Sequence, residues 1–95
     1  MTYKLTFLKS AKKEWDKLTP SIKTQFKNKL VKRLEDPCVP KDKLAGMLDC
    51  YKIKLRASGY RLVYKVVKDR ITVQVIAIGK RDKEEVYKLA HYRLD

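Results

Sequence analysis

The sequence predicts an α+β fold in the order β-α-α-β-β-β-α, built on an antiparallel sheet with an N-terminal helical hairpin and a C-terminal helix. Three observations predict it. Apolar residues recur at three- and four-residue steps through much of the first 35 positions, the period of helices. Between residues 51 and 78 they alternate instead, the period of strands. After Gly79 the helical spacing returns, in Val86, Ala90 and Leu94.

Each element has its own reason. Tyr3, Leu5 and Phe7 alternate, so residues 2–7 read as a short strand. Leu8, Ala11, Trp15 and Leu18 then step by three or four, predicting an amphipathic helix over residues 10–18 with Ser10 as its cap. Thr19-Pro20 starts a second helix, with Thr as cap and Pro at the first helical position, where its missing N–H costs nothing. Ile22, Phe26, Leu30 and Leu34 carry it over residues 20–35, and Asp36-Pro37 ends it. Trp15 and Phe26 are the core anchors of this hairpin. Pro37, Pro40 and Gly46 mark residues 37–50 as loop. Tyr51, Ile53 and Leu55 form one strand and Tyr60, Leu62, Tyr64 and Val66 the next, joined at Ala57-Ser58-Gly59. After a turn at Lys68-Asp69, Ile71, Val73, Val75 and Ala77 alternate in a further strand, which Gly79 breaks. Asp82 and Glu85 resemble a capping box, predicting a last helix over residues 83–94.

Length and composition bound the function. Ninety-five residues with 44 % hydrophobic content make one domain, 1–95, with one modest core and no room for a second unit. No apolar run approaches the roughly 18 residues of a membrane span, and no segment resembles an export signal, so the chain is expected in the cytoplasm. His91 is the sole histidine, and Cys38 and Cys50 are the sole cysteines. That is too few for a usual zinc site and excludes a two-histidine nuclease. The two cysteines read as reduced thiols, and neither has the setting of a nucleophile. His91 reads as a helix-end cation.

The net charge is +13, which points to a polyanionic partner. Its distribution is more informative. Residues 51–70 hold Lys52, Lys54, Arg56, Arg61, Lys65, Lys68 and Arg70 against Asp69 alone. The excess therefore sits on strands rather than in a tail. A membrane surface is disfavoured for the same reason, because the cations do not follow an amphipathic helix. Matching apolar faces across the hairpin pairs Leu55 with Tyr60, Ile53 with Leu62 and Tyr51 with Tyr64. That register puts Lys54 opposite Arg61, with Lys52 on the same face. Like charges placed opposite cost a sheet up to about 1 kcal/mol. An anion lying across the face accounts for the cluster better than stability does. Tyr87 lies outside the Val86-Ala90-Leu94 stripe and could stack on a base or orient a phosphate.

The segment Lys43-Leu44-Ala45-Gly46-Met47-Leu48-Asp49-Cys50-Tyr51-Lys52-Ile53-Lys54-Leu55-Arg56-Ala57-Ser58-Gly59-Tyr60-Arg61-Leu62-Val63-Tyr64 resembles the core of the RelE-type toxins of bacterial type II toxin–antitoxin systems, in the RelE/ParE superfamily. Ile78-Gly79-Lys80-Arg81-Asp82-Lys83-Glu84-Glu85-Val86-Tyr87 resembles their C-terminal signature, and the likeness spans the chain. It implies a microbial-ribonuclease-like fold and a toxin that enters the ribosomal A site and cuts mRNA there. It implies a cognate RelB-like antitoxin, expected to be acidic and helical, and operator binding only through the antitoxin complex. The family's active-site pattern falls on Lys52, Lys54, Arg61, Arg81 and Tyr87. Ala45 departs from the pattern, since relatives often carry a basic residue before this glycine.

On that resemblance the expected reaction is attack of an RNA 2′-hydroxyl on the adjacent phosphate, with no metal or cofactor. Lys54 or Lys52 is the base, made less basic by neighbouring cations. Arg61 holds the phosphate through its planar fork, Arg81 stabilises the transition state, and Tyr87 positions the nucleotide. Lys23, Lys27, Lys29, Lys32, Arg33, Arg56 and Lys80 are expected to grip ribosomal RNA. A non-catalytic RNA- or ribosome-binding module, or a co-repressor, is the alternative, and turnover separates it from a nuclease.

Overall fold

In a computed structural model that describes residues 2–80 and 85–94, the chain runs β1 (Lys4–Phe7), α1 (Lys9–Asp16), α2 (Pro20–Glu35), β2 (Cys50–Leu55), β3 (Tyr60–Val67), β4 (Thr72–Lys80) and α3 (Glu85–Leu94). The element order is the expected one. Short 3-10 turns at Pro40–Asp42 and Lys68–Arg70 fill the loop before β2 and the turn before β4.

The sheet order is β1-β4-β3-β2. β2, β3 and β4 are antiparallel, and the pairings Leu55–Tyr60, Ile53–Leu62, Tyr51–Tyr64 and Lys54–Arg61 all occur. The four-residue loop 56–59 closes through a Gly59 N–H to Leu55 carbonyl bond of 2.9 Å, with Gly59 at φ +77°. β1 adds beside β4 in parallel, so the complete sheet is mixed.

Two apolar clusters lie on opposite sheet faces. Trp15, Phe26 and Leu30 from the helical hairpin pack on Ile53, Leu62, Tyr64, Val66, Val73 and Val75. Phe26 is fully buried, and its ring centroid lies 6.4 Å from that of Trp15, as expected of two core anchors. Val86 and Ala90 of α3 cover Val63, Ile76 and Ala77 on the other face. A bulge in the β3–β4 register beside Val63 and Tyr64 shifts the alternation of β4. Ala77 therefore joins Ile76 under α3, instead of continuing the Val73-Val75 face.

Two local readings are corrected. Ser10 lies inside α1, whose cap position is Leu8 with no side-chain bond, because the helix begins one residue before the expected cap. Thr19 does cap α2, accepting from the Ile22 N–H at 3.4 Å. Gly79 does not break β4. It pairs with Arg61, and a Cβ added there would meet Val86 at 3.7 Å, so the glycine suits the close approach of α3. Asp82 of the expected capping box lies outside the described residues.

Side chains cap two open stretches of strand edge. Beyond the end of β1, the free edge of β4 is met by Glu14, which accepts from the Ile78 N–H at 3.1 Å. Arg93 donates to the Ile76 carbonyl and to Glu14 Oε1, each at 2.8 Å. On the far side, Arg33 donates to the Lys52 carbonyl of edge strand β2 at 3.1 Å. Unpaired strand edges invite pairing with other chains, and such caps block them.

Candidate active site

Strand alternation sends Ile53, Leu55 and Leu62 toward the helical hairpin, and so turns Lys52, Lys54 and Arg61 to the α3 face. Lys54 and Arg61 are direct cross-strand partners, and Lys52 is two residues along. Both lysines are half-buried. Arg61 is 8 % exposed, the one charged residue among the buried positions described. Its guanidinium donates to the Tyr60 carbonyl at 3.3 Å.

The electrostatics of the cluster fall on Lys54. The Lys52 ammonium, the loss of hydration and Arg61 together hold its pKa below the ordinary lysine value, with Asp42 acting weakly the other way. Crowding by like charges makes it easier for Lys54 to give up its proton, a property that suits a general base.

Tyr87 reaches this face from the first turn of α3, with the Lys52 ammonium 5.9 Å from its ring centroid. It also lines a shallow cavity of about 340 Å³ with Ala45, Gly46, Met47, Lys88 and His91. Ala45 therefore sits beside the aromatic ring, where a longer basic side chain would border it. Arg81 lies outside the described residues.

The wider basic set divides. Lys29 and Arg56 line a polar cavity of about 250 Å³ with Lys41, Asp42 and Lys54, so they adjoin the cluster. Lys80 is exposed, with its ammonium 5.6 Å from the Tyr60 ring centroid. Lys27 lines a different groove, between β1 and the helical hairpin, with Leu5, Trp15 and Val31. Lys23 is half-buried and Lys32 exposed on α2, and neither lines the cavity that holds Lys54.

Arg33 departs from the expectation of a surface RNA contact. Its guanidinium donates to the Tyr64 hydroxyl at 2.9 Å, to the Lys52 carbonyl, and to the Asp42 carboxylate. Burial opposes its charge, but Tyr64 and Asp42 more than offset that and raise its pKa further. Tyr64 in turn donates to the Pro37 carbonyl at 2.6 Å, and burial pushes its own phenol up. Sequence reasoning missed Asp42 and Tyr64 as neighbours of the site. The signal was a lone acid between Lys41 and Lys43, and it is weak. Both cysteines are free thiols, and burial raises the pKa of Cys50, which argues against a thiolate nucleophile.

A small sheet with helices on both faces thus carries an open cluster of cations, which suits a large polyanion. The comparisons with known proteins supply the family. Residues 5–85 match the family described as the ParE toxin of the type II toxin–antitoxin system parDE. The mRNA interferase toxin RelE of Escherichia coli strain K12 is 52 % identical over 99 % of both chains. A mutant of the E. coli toxin RelE in the free state superposes with a TM-score of 0.92 at 50 % identity, covering all of both chains. RelE in the intact E. coli RelBE toxin–antitoxin complex gives 0.82 at 52 % identity, over 84 % of this chain and 98 % of that one. The chain belongs to the RelE/ParE family of type II toxin–antitoxin toxins, on its RelE side.

Proposed function

We propose that the chain is a toxin that cleaves mRNA, neutralised by a RelB-like antitoxin, and that Lys52, Lys54 and Arg61 are the centre of its catalytic face. Full-length identity of 52 % to an mRNA interferase toxin supports the activity, and the likeness to RelE in the RelBE complex supports the antitoxin. The single observation that carries the site is Lys54, set against Arg61 and beside Lys52 with its pKa lowered.

The chemistry follows from that placement. Neutral Lys54 takes the proton from an RNA 2′-hydroxyl. The 2′-oxygen attacks the adjacent phosphorus, the bond to the 5′-oxygen breaks and that oxygen takes a proton from solvent water, leaving a 2′,3′-cyclic phosphate and a 5′-hydroxyl. Lys52 and Arg61 stabilise the charge that builds on the phosphate oxygens. Arg81 stabilises the same charge near the leaving oxygen, and Tyr87 orients the nucleotide. The ribosome holds mRNA bent for in-line attack in its A site. Residues 1–95 act as one toxin domain in the cytoplasm, where ribosomes are. Among the described residues, no helix is long and apolar enough to cross a membrane.

The test is single-turnover cleavage of mRNA on programmed ribosomes. Lys54→Ala and Arg81→Ala should each lower the rate by about 10³-fold or more while ribosome binding persists. Near-normal cleavage by both variants rejects the site. Equal cleavage of free and ribosome-bound RNA rejects the ribosome dependence.

A further inference from the structure

Asp42 is the one acid that lines the polar cavity with Lys54, and it is held by Arg33. The remaining lining is Lys29, Arg33, Lys41, Ile53, Lys54 and Arg56. A carboxylate beside a lysine base is a hazard, because an ion pair would hold the lysine protonated. Here the carboxylate is turned into the Arg33 guanidinium, and the two side chains are only 16 % and 14 % exposed. The same guanidinium is anchored on the Tyr64 hydroxyl and on the backbone carbonyl of Lys52, two residues before Lys54 on β2.

We propose that Arg33 is a positioning residue that sequesters Asp42 from Lys54 while fixing strand β2 at Lys52. The proposal rests on the reading of Lys54 as the base. It gives Arg33 a role that needs no contact with substrate: it keeps the lysine cluster free of a carboxylate that the loop brings close. The groups facing Lys54 are Lys52 on its own strand, Arg61 on β3, Lys41 and Asp42 in the 3-10 turn, Lys29 and Arg33 on α2, and Arg56 in the hairpin loop. Asp42 alone among them raises the proton affinity of Lys54, and it does so weakly while Arg33 holds it.

The experiment is the pH profile of single-turnover cleavage on programmed ribosomes, for the wild type, Arg33→Met, Asp42→Asn and the double variant. Cleavage rises with pH as Lys54 loses its proton. Arg33→Met should move the midpoint up by about one pH unit, cutting the rate near neutrality by about tenfold while the high-pH plateau stays close to that of the wild type. Asp42→Asn should leave the midpoint close to the wild-type position, because Arg33 already holds the carboxylate. The double variant should return it to the wild-type position or below, because the released carboxylate is then gone. A uniform loss at every pH in Arg33→Met, with no rescue by Asp42→Asn, overturns the proposal and leaves Arg33 a structural residue. If Arg33→Met does not fold, as judged by circular dichroism, Arg33→Gln, which keeps a donor toward Tyr64 and Lys52 but not the charge, takes its place, and a midpoint that stays at the wild-type position overturns the proposal. Lys54→Ala serves as the control: if it cleaves normally, the reading of the base has failed, and the failure is distinguishable from that of Arg33.

Discussion

The ammonium of Lys52 lies 5.9 Å from the centroid of the Tyr87 ring, joining the last helix to the cationic face of β2. The contact uses the ring, so the two obvious variants should separate. Tyr87→Phe keeps the ring over the ammonium and should retain cleavage within about fivefold, while Tyr87→Ala should lose about 100-fold. Single-turnover rates on programmed ribosomes measure both. Equal losses would assign the role to the hydroxyl.

Lys54 carries a pH prediction with a definite sign. Its native pKa lies below the ordinary 10.5, chiefly because of Lys52. Cleavage should therefore level off at a lower pH than a free lysine would allow. Lys54→Arg, which keeps the charge but cannot give up its proton, should cost about 10³-fold. In stability the sign is the reverse of an ion pair. The unfolded chain binds this proton more tightly than the native one. The resulting penalty is fully present at neutral pH and fades as pH rises toward 10.5. Lys52→Gln should raise the melting temperature at neutral pH while lowering cleavage, and calorimetry beside the kinetic assay tests that pair of changes.

Tyr64 tests the network that ties α2 to the sheet. Its hydroxyl accepts from Arg33 at 2.9 Å and donates to the Pro37 carbonyl at 2.6 Å, all away from solvent. Tyr64→Phe leaves both partners short of a bond and should cost about 1–3 kcal/mol in urea unfolding, with an unchanged m-value.

Arg93 tests how α3 is held. It bridges the Ile76 carbonyl and Glu14 from the last turn of the helix. Arg93→Met should speed amide exchange in α3 by about tenfold or more while leaving β3 unchanged. Cleavage should fall with it, since Tyr87 rides on the same helix. Unchanged exchange in α3 would show that Val86 and Ala90 hold the helix by themselves.

The β2–β3 hairpin was legible because its alternation is unbroken and its loop short, so one register alone buried Ile53, Leu55, Leu62 and Tyr64 together. That register gave Lys54 against Arg61 directly. Helix α2 was legible for the same reason: four apolar residues at four-residue steps and a Thr-Pro start. β1 was found, but its parallel pairing was not, because four mostly exposed residues carry no pattern that chooses a partner 68 positions away. The bulge at Val63 was equally silent, since β4 is apolar on both faces around Ala77. The partners of Arg33 were hidden for a physical reason. It lies among Lys29, Lys32 and other cations of α2, and its burial depends on Asp42 and Tyr64, which only the folded chain brings to it. The basic residues adjoining Lys54 in space, Lys29 and Arg56, could be separated from Lys27 only once the helix was seen against the sheet.

Arg61 has one more consequence. At 8 % exposure it has surrendered most of its water during folding, and a bond to the Tyr60 carbonyl holds its guanidinium. Lys27, exposed on α2, must lose hydration and side-chain freedom at the moment it meets an anion. A phosphate arriving at Arg61 finds a donor already dry and aimed, so little of the attraction is spent on ordering it. On the proposed mechanism the surface lysines set how fast RNA is collected, and Arg61 sets which phosphodiester, once collected, stays in line with the base.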